Sequence, residues 1–282
     1  MVNMGLSGFF TITRPVNSIV AGLAAIVAYL IATGSIVPDV LPLMIIVVFI
    51  TAAGNVINDY FDAEIDAINR PARPIPSGTV QRNAALVYAI CLFIAGIIIS
   101  WFTTPLCFDI ALINSLILVA YAAWLKSTPF IGNVSVSYLS ASIFLFGGAF
   151  AGYSHLIDIL PIAAITFLAM LSRELLKDAE DIEGDRAGGA DTLPIRIGVK
   201  KSAMIAFVFS IAAVVASVVP YLWWGKWYLL GIGIVDIIIV FAAVKALQSS
   251  TPKDLKDCKA TDLLKYGMFA SLIVFTISAV IL

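Results

Sequence analysis

Two acidic runs carry the chemistry open to this chain: Asn58-Asp59-Tyr60-Phe61-Asp62-Ala63-Glu64-Ile65-Asp66 and Asp178-Ala179-Glu180-Asp181-Ile182-Glu183-Gly184-Asp185. Each stands at the end of a long apolar stretch. Continued as helix, the first run places Asn58, Asp62 and Asp66 at i, i+4 and i+8, within an arc of about 80° and with about 6 Å between successive members. The same arithmetic gathers Glu174, Asp178, Asp181 and Asp185 within about 60°, and a helix break at Gly184 would release only Asp185 from that arc. Like charges stacked in this way destabilise a helix unless something neutralises them. Oxygen donors suit Mg²⁺, which binds through one or two carboxylates together with phosphate oxygens. Two facing stripes therefore predict two Mg²⁺ ions with a diphosphate between them. Solvated charge at a membrane edge explains a single cluster equally well, and explains two clusters on one side much less well.

Cations accompany the acids. Arg70 and Arg73 lie in Asn69-Arg70-Pro71-Ala72-Arg73-Pro74-Ile75-Pro76-Ser77-Gly78, a loop stiffened by its prolines and closed by a glycine turn. Guanidinium groups hold phosphate oxygens bidentately, and Lys126 and Lys177 add point charges. Lys253, Lys256 and Lys259 are read as ordinary interface lysines.

The elements that must position these groups are membrane helices. The chain is 61% hydrophobic and 12% charged, with mean hydropathy +1.03, whereas charged residues make up about a quarter of a soluble domain. Nine apolar stretches run over 16–33, 37–57, 84–102, 108–124, 132–152, 156–172, 203–219, 227–247 and 264–282, most of them near the ~20 residues that span hydrocarbon. With nine crossings, 16 of the 17 Lys and Arg residues fall on one side and only Lys226 on the other. The positive-inside rule then predicts a cytoplasmic N-terminus, cytoplasmic acidic clusters and an external C-terminus, in a cell membrane. The first stretch has no basic leader or small-residue cleavage site and reads as a retained helix. Cys91, Cys107 and Cys258 lack metal spacing, and His155, the only histidine, falls in a predicted external loop, which argues against haem or a histidine-held metal. A net charge of −1 excludes nucleic acid as an expected partner, and no obligate protein partner is evident.

These motifs resemble the UbiA-type intramembrane prenyltransferase superfamily: Asn58-x-x-x-Asp62-x-x-x-Asp66 after helix two, and Asp181-x-x-x-Asp185, preceded by Asp178, after helix six. Within it, the stretches NRPARPIPSG, KSTPFIGN and RELLKDAEDIEGDRAGGADTLPIRIG are most similar to archaeal digeranylgeranylglyceryl phosphate synthases. The resemblance implies an all-α bundle of nine transmembrane helices around a lipid-open central cavity. It would form a single domain over 1–282, with cap loops near 58–83, 125–131 and 173–201. Asn58, Asp62 and Asp66 would form a first Mg²⁺ diphosphate site, and Asp181 and Asp185 the second, supported by Asp178. Arg70, Arg73, Lys126 and Lys177 would hold the diphosphate. The implied donor is geranylgeranyl diphosphate, and the acceptor is the free hydroxyl of geranylgeranylglyceryl phosphate, in ether lipid synthesis. Arg14, Lys126, Arg196, Lys200 and Lys201 are candidates for the acceptor's own phosphate.

Four further residues stay open at this stage. Asn17 either faces the cavity or caps a helix. Asn114 and Tyr121, seven residues apart on one face of helix four, either line the cavity or bond between helices. Asp236, mid-helix in stretch eight, has no assigned partner, and a hydrogen bond to a neighbouring helix is its plain explanation. Competing functions are an aromatic prenyltransferase for quinones, a chlorophyll or haem side-chain transferase, a transporter and a CDP-alcohol phosphotransferase. Transporters place their sites near the midplane, while these stripes sit at one edge, and the Asp-Gly-x-x-Ala-Arg run of the phosphotransferases is missing.

Overall fold

Where the chain must cross hydrocarbon, it satisfies its backbone internally as helix. The computed structural model describes residues 5–282, and among them nine helices are long and apolar enough to cross a membrane. A short helix α1 (Leu6–Ile12) precedes the first span α2 (Pro15–Thr33). Then come α3 (Leu41–Phe61), α4 (Ala63–Asn69), α5 (Arg82–Trp101), α6 (Pro105–Ala123), α7 (Ile131–Ala151) and α8 (Tyr153–Glu180). The rest are α9 (Ile182–Ala187), α10 (Leu193–Ile197), α11 (Val199–Ala216), α12 (Tyr221–Gln248), α13 (Pro252–Asp257) and α14 (Ala260–Ile281). The spans are α2, α3, α5, α6, α7, α8, α11, α12 and α14. The apolar stretches predict each of them. The seven-residue α1 is too short to register as a span.

The helices form two packed groups. Ala25, Leu43, Ile46, Ala53, Ala89, Phe93, Ala111 and Phe146 make one core, from α2, α3, α5, α6 and α7. Ala28, Ala141, Ile165, Leu175, Ala203, Ile232, Leu264 and Phe275 make the other, from α2, α7, α8, α11, α12 and α14. Alternate faces of α2 and α7 thus belong to both groups, and these two helices form the seam. At the seam Gly147 lets α7 approach the α2 backbone so closely that a β-carbon there would lie 2.7 Å from the Tyr29 nitrogen. Small residues at a crossing gain packing where lipid supplies no hydrophobic drive.

Both acid-bearing helices end in the same way. Helix α3 stops at Asp62 (φ −83°, ψ 2°) and restarts as α4, and α8 stops at Asp181 (φ −106°, ψ 13°) and restarts as α9. These angles lie in the sparsely used bridge region, where active-site residues often sit. Hydrogen bonds from Asp66 N to Asp62 O (2.8 Å) and from Asp185 N to Asp181 O (2.9 Å) carry the chain across each break. The break expected at Gly184 therefore falls three residues earlier, and Gly184 is helical within α9. Asn17 does not cap α2. Arg14 takes that position with φ 49°, and Asn17 is an exposed residue of the first turn. Lys259 (φ 56°, ψ 31°) starts α14 in the same left-handed conformation, while Phe130, which starts α7, also has positive φ (65°) but lies outside that region with ψ −35°.

Candidate active site

Each acid run meets cations or amides held by another element. Asn58 donates from Nδ2 to Asp62 Oδ2 at 2.8 Å, within α3 and its junction. Lys126, on the short turn before α7, pairs with Asp62 and lies 3.4 Å from Asn58 Oδ1. Arg73 Nη1 reaches Asp66 at 2.5 Å and Asp59 at 3.2 Å, and Arg14 Nη2 reaches the same Asp59 oxygen at 2.5 Å. Asp59 and Asp66 are buried, so this four-residue network satisfies carboxylates that would be costly unpaired. Arg70 is exposed and pairs with no acid among the described residues.

From the second run, Asp178 accepts from Asn133 Nδ2 at 2.7 Å, and Thr192 Oγ1 donates to Asp185 at 3.5 Å. Burial, and then the Asp181 carboxylate, push the Asp185 carboxyl above its ordinary value, against the pull of Thr192 and Lys177. Asp181 itself is exposed and lines a separate cleft with Lys253 and Lys256. Lys177 lies 3.9 Å from Glu174, which Arg173 Nη1 meets at 2.5 Å. The two runs converge on α6, where Asp62, Glu174, Asp178 and Asp185 all stand within electrostatic range of Tyr121.

Tyr121 also lines an apolar cavity of about 300 Å³ among α2, α3, α6 and α7, beside Asn114, Leu118 and Ser142. Asn114 both lines this cavity and donates to Ser142 at 2.9 Å, and its Oδ1 is buried without a partner among the described residues. A second apolar cavity of about 350 Å³ lies among α2, α7, α8 and α14. Ser140 and Ile143 of α7 line both, so the expected central cavity is divided by α7 into two compartments. Asn17 lines neither.

Several sequence candidates lie elsewhere. Arg196 pairs with Asp191 on an exposed surface, and its guanidinium holds Asp191 below the usual carboxylate range. Lys200 donates to the Leu247 carbonyl, and Lys201 is exposed. Asp236 accepts from Ser217 Oγ at 2.7 Å, a helix-to-helix bond away from the acid runs. Sequence reasoning gave no role to Asp59, Asn133 or Thr192. For Asp59 the signal was its i, i+7 spacing to Asp66, which puts both on one helix face. For Asn133 and Thr192 no local pattern points to an acid so distant in the chain.

As a donor set these residues fit magnesium: they are oxygens only, with an amide beside Asp62 and excess negative charge at Asp185. Among the described residues no three His, Cys, Asp or Glu side chains are grouped so as to hold a metal by themselves.

Apolar helices that end in paired acids and cations, over cavities sized for lipid chains, define a membrane-embedded enzyme that handles an anionic lipid. The chain belongs to the UbiA prenyltransferase family, which matches residues 12–273. It is 69% identical over 279 residues to the digeranylgeranylglyceryl phosphate synthase of Methanoregula boonei, covering 99% of this chain and 100% of that one. It is 55% identical to the synthase of the same name from Methanoculleus marisnigri, again over 99% and 100%. A solved structure described as "Structural and mechanistic insights into the biosynthesis of Digeranylgeranylglyceryl phosphate synthase in membranes" superposes with TM-score 0.90 at 37% identity, over 98% of this chain and 99% of that one. A UbiA homolog from Archaeoglobus fulgidus bound to GPP and Mg2+ shares the fold, with TM-score 0.64 at 17% identity over 94% of this chain and 99% of that one.

Proposed function

We propose that this protein transfers a geranylgeranyl group from geranylgeranyl diphosphate to the free hydroxyl of geranylgeranylglyceryl phosphate, with Mg²⁺ and with its acidic face in the cytoplasm. The observation that carries the reading is the convergence of both acid runs on Tyr121 at the polar end of an apolar cavity. The full-length likeness to synthases bearing that name supports the choice of acceptor.

Asn58 and Asp62 would hold one ion and Asp178 and Asp185 a second, with Asp181 adding charge beside Asp185. Bound there, magnesium supplies positive charge to offset the departing diphosphate. Asp66 acts through Arg73, fixing its guanidinium at 2.5 Å. Arg70, Arg73, Lys126 and Lys177 bind and orient diphosphate oxygens. The allylic C–O bond breaks with its electron pair passing to the diphosphate. The apolar walls of the Tyr121 cavity keep water from the resulting cation. The acceptor oxygen forms the new C–O bond, and its proton passes to a carboxylate of the site. Glu174 is placed for this, lying in range of Tyr121 in one cavity and paired with Arg173 beside the other.

Transfer of radiolabel from geranylgeranyl diphosphate in detergent, with geranylgeranylglyceryl phosphate and 4-hydroxybenzoate as separate acceptors, tests the reading. Magnesium-dependent labelling of the phospholipid, lost on chelation and cut at least about a hundredfold in Asp62→Ala, is the expected result. Label on the aromatic ring alone would move the protein to quinone synthesis.

A further inference from the structure

The second cavity differs from the first in what stands at its polar end. Its lining on α8 ends at Arg173, and its lining on the antiparallel α14 begins at Lys265. Two cations from facing helices therefore mark one end of an otherwise apolar compartment. Arg173 spends Nη1 on Glu174, while its Nε is buried without a partner among the described residues. A buried unsatisfied donor costs free energy that an anion would recover. Lys265 pairs with Asp262 across an exposed i, i+3 contact at 2.9 Å, which is worth little and yields readily. Of the other cations near the acid runs, Arg14 pairs with Asp59, and Arg70, Arg73, Lys126 and Lys177 are those assigned above to the diphosphate.

We propose that Arg173 and Lys265 form the subsite for the phosphate of the acceptor lipid and that the cavity beneath them holds that lipid's hydrocarbon chain. This rests on the transfer reaction proposed above, which needs room for two chains and a third phosphate apart from the diphosphate. Two compartments answer the first need and the Arg173–Lys265 pair the second. Ser140 and Ile143 form their common wall, so the acceptor's glycerol is brought beside the Tyr121 cavity while its chain stays clear of the donor's.

Steady-state kinetics on the full chain, with geranylgeranyl diphosphate as donor, test this. The acceptors compared are geranylgeranylglyceryl phosphate and the same lipid lacking its phosphate. Arg173→Gln and Lys265→Gln are each expected to raise KM for the phosphorylated acceptor about tenfold or more. Donor KM should stay within about twofold, and preference for the phosphorylated acceptor should shrink. Arg173→Lys recovers part of the loss, and Ala169→Phe, which fills the cavity without touching a charge, raises acceptor KM while donor KM holds. A rise in donor KM in Arg173→Gln overturns the assignment by giving these cations to the diphosphate. Should Arg173→Gln fail to fold, Lys265→Gln decides, since its pair is exposed. An active wild type whose variants keep their acceptor KM removes the subsite alone. A wild type that prenylates neither lipid removes the transfer reaction and the subsite with it.

Discussion

Asp59 shows how much of an acidic motif serves its neighbours. One of its oxygens accepts from both Arg14 and Arg73, so it draws together the start of α2 and the proline-stiffened loop that carries Arg70. Removing one member of a buried ion network leaves the others uncompensated, at about 3–5 kcal/mol. Asp59→Ala is therefore expected to lower stability by about 3 kcal/mol in thermal or denaturant unfolding, and to raise donor KM as Arg73 loosens. Asp185 has the opposite sign. Its carboxyl is raised by burial and by Asp181, so ionising it opposes folding. That cost is absent below the ordinary carboxylate value, grows as pH rises through the native value, and is complete at neutral pH. Asp185→Asn should then raise the Tm of the metal-free protein at pH 7, leave it unchanged near pH 3.5, and abolish transfer. A Tm lowered at pH 7 would show Asp185 to be structurally satisfied instead.

At the scale of elements, α8 is the longest lever in the site. Its 28 residues extend about 42 Å, some 12 Å beyond a hydrocarbon core of about 30 Å. Its last two turns, Arg173 to Glu180, are thus carried clear of the lipid as rigid helix. The seam of α2 and α7 is the other controlling element. A side chain at Gly147 must displace backbone, and overpacking of this kind costs about 1–3 kcal/mol. Gly147→Val is expected to destabilise by that amount and, because α2 and α7 wall both cavities, to raise KM for donor and acceptor together. The nine spans were legible because hydrocarbon demands long apolar runs, which the sequence displays with only scattered polar residues such as Asn114 and Asp236. The breaks at Asp62 and Asp181 were not, since neither carries a glycine or proline signal and the helical hydrogen bonds pass across both. The partners of Asp178 and Asp185 were hidden for another reason: Asn133 and Thr192 arrive by packing, which no spacing within the acid run encodes.

For the molecule as a whole, the charge asymmetry between the two ends of the helices predicts, by the positive-inside rule, which solution each face meets. Cysteine placed at Lys226 should be labelled by an impermeant maleimide in intact cells, and cysteine at the exposed Arg70 only after the membrane is opened. The reverse pattern would turn the proposed orientation over. Chain topology repeats itself across the seam, each half contributing one acid-ended helix, one restart and one apolar compartment. Around the second compartment the backbone itself is uneven. Among the described residues the non-glycine positions with positive φ are Arg14, Phe130 and Lys259, and they open α2, α7 and α14, three of the four helices that wall it. Arg14 and Lys259 hold an L-residue in the left-handed conformation, where about 1–2 kcal/mol is lost against the right-handed one. Glycine at the exposed Lys259 should therefore relieve that strain and raise thermal tolerance, whereas glycine at Arg14 would forfeit the pair with Asp59 and lower it.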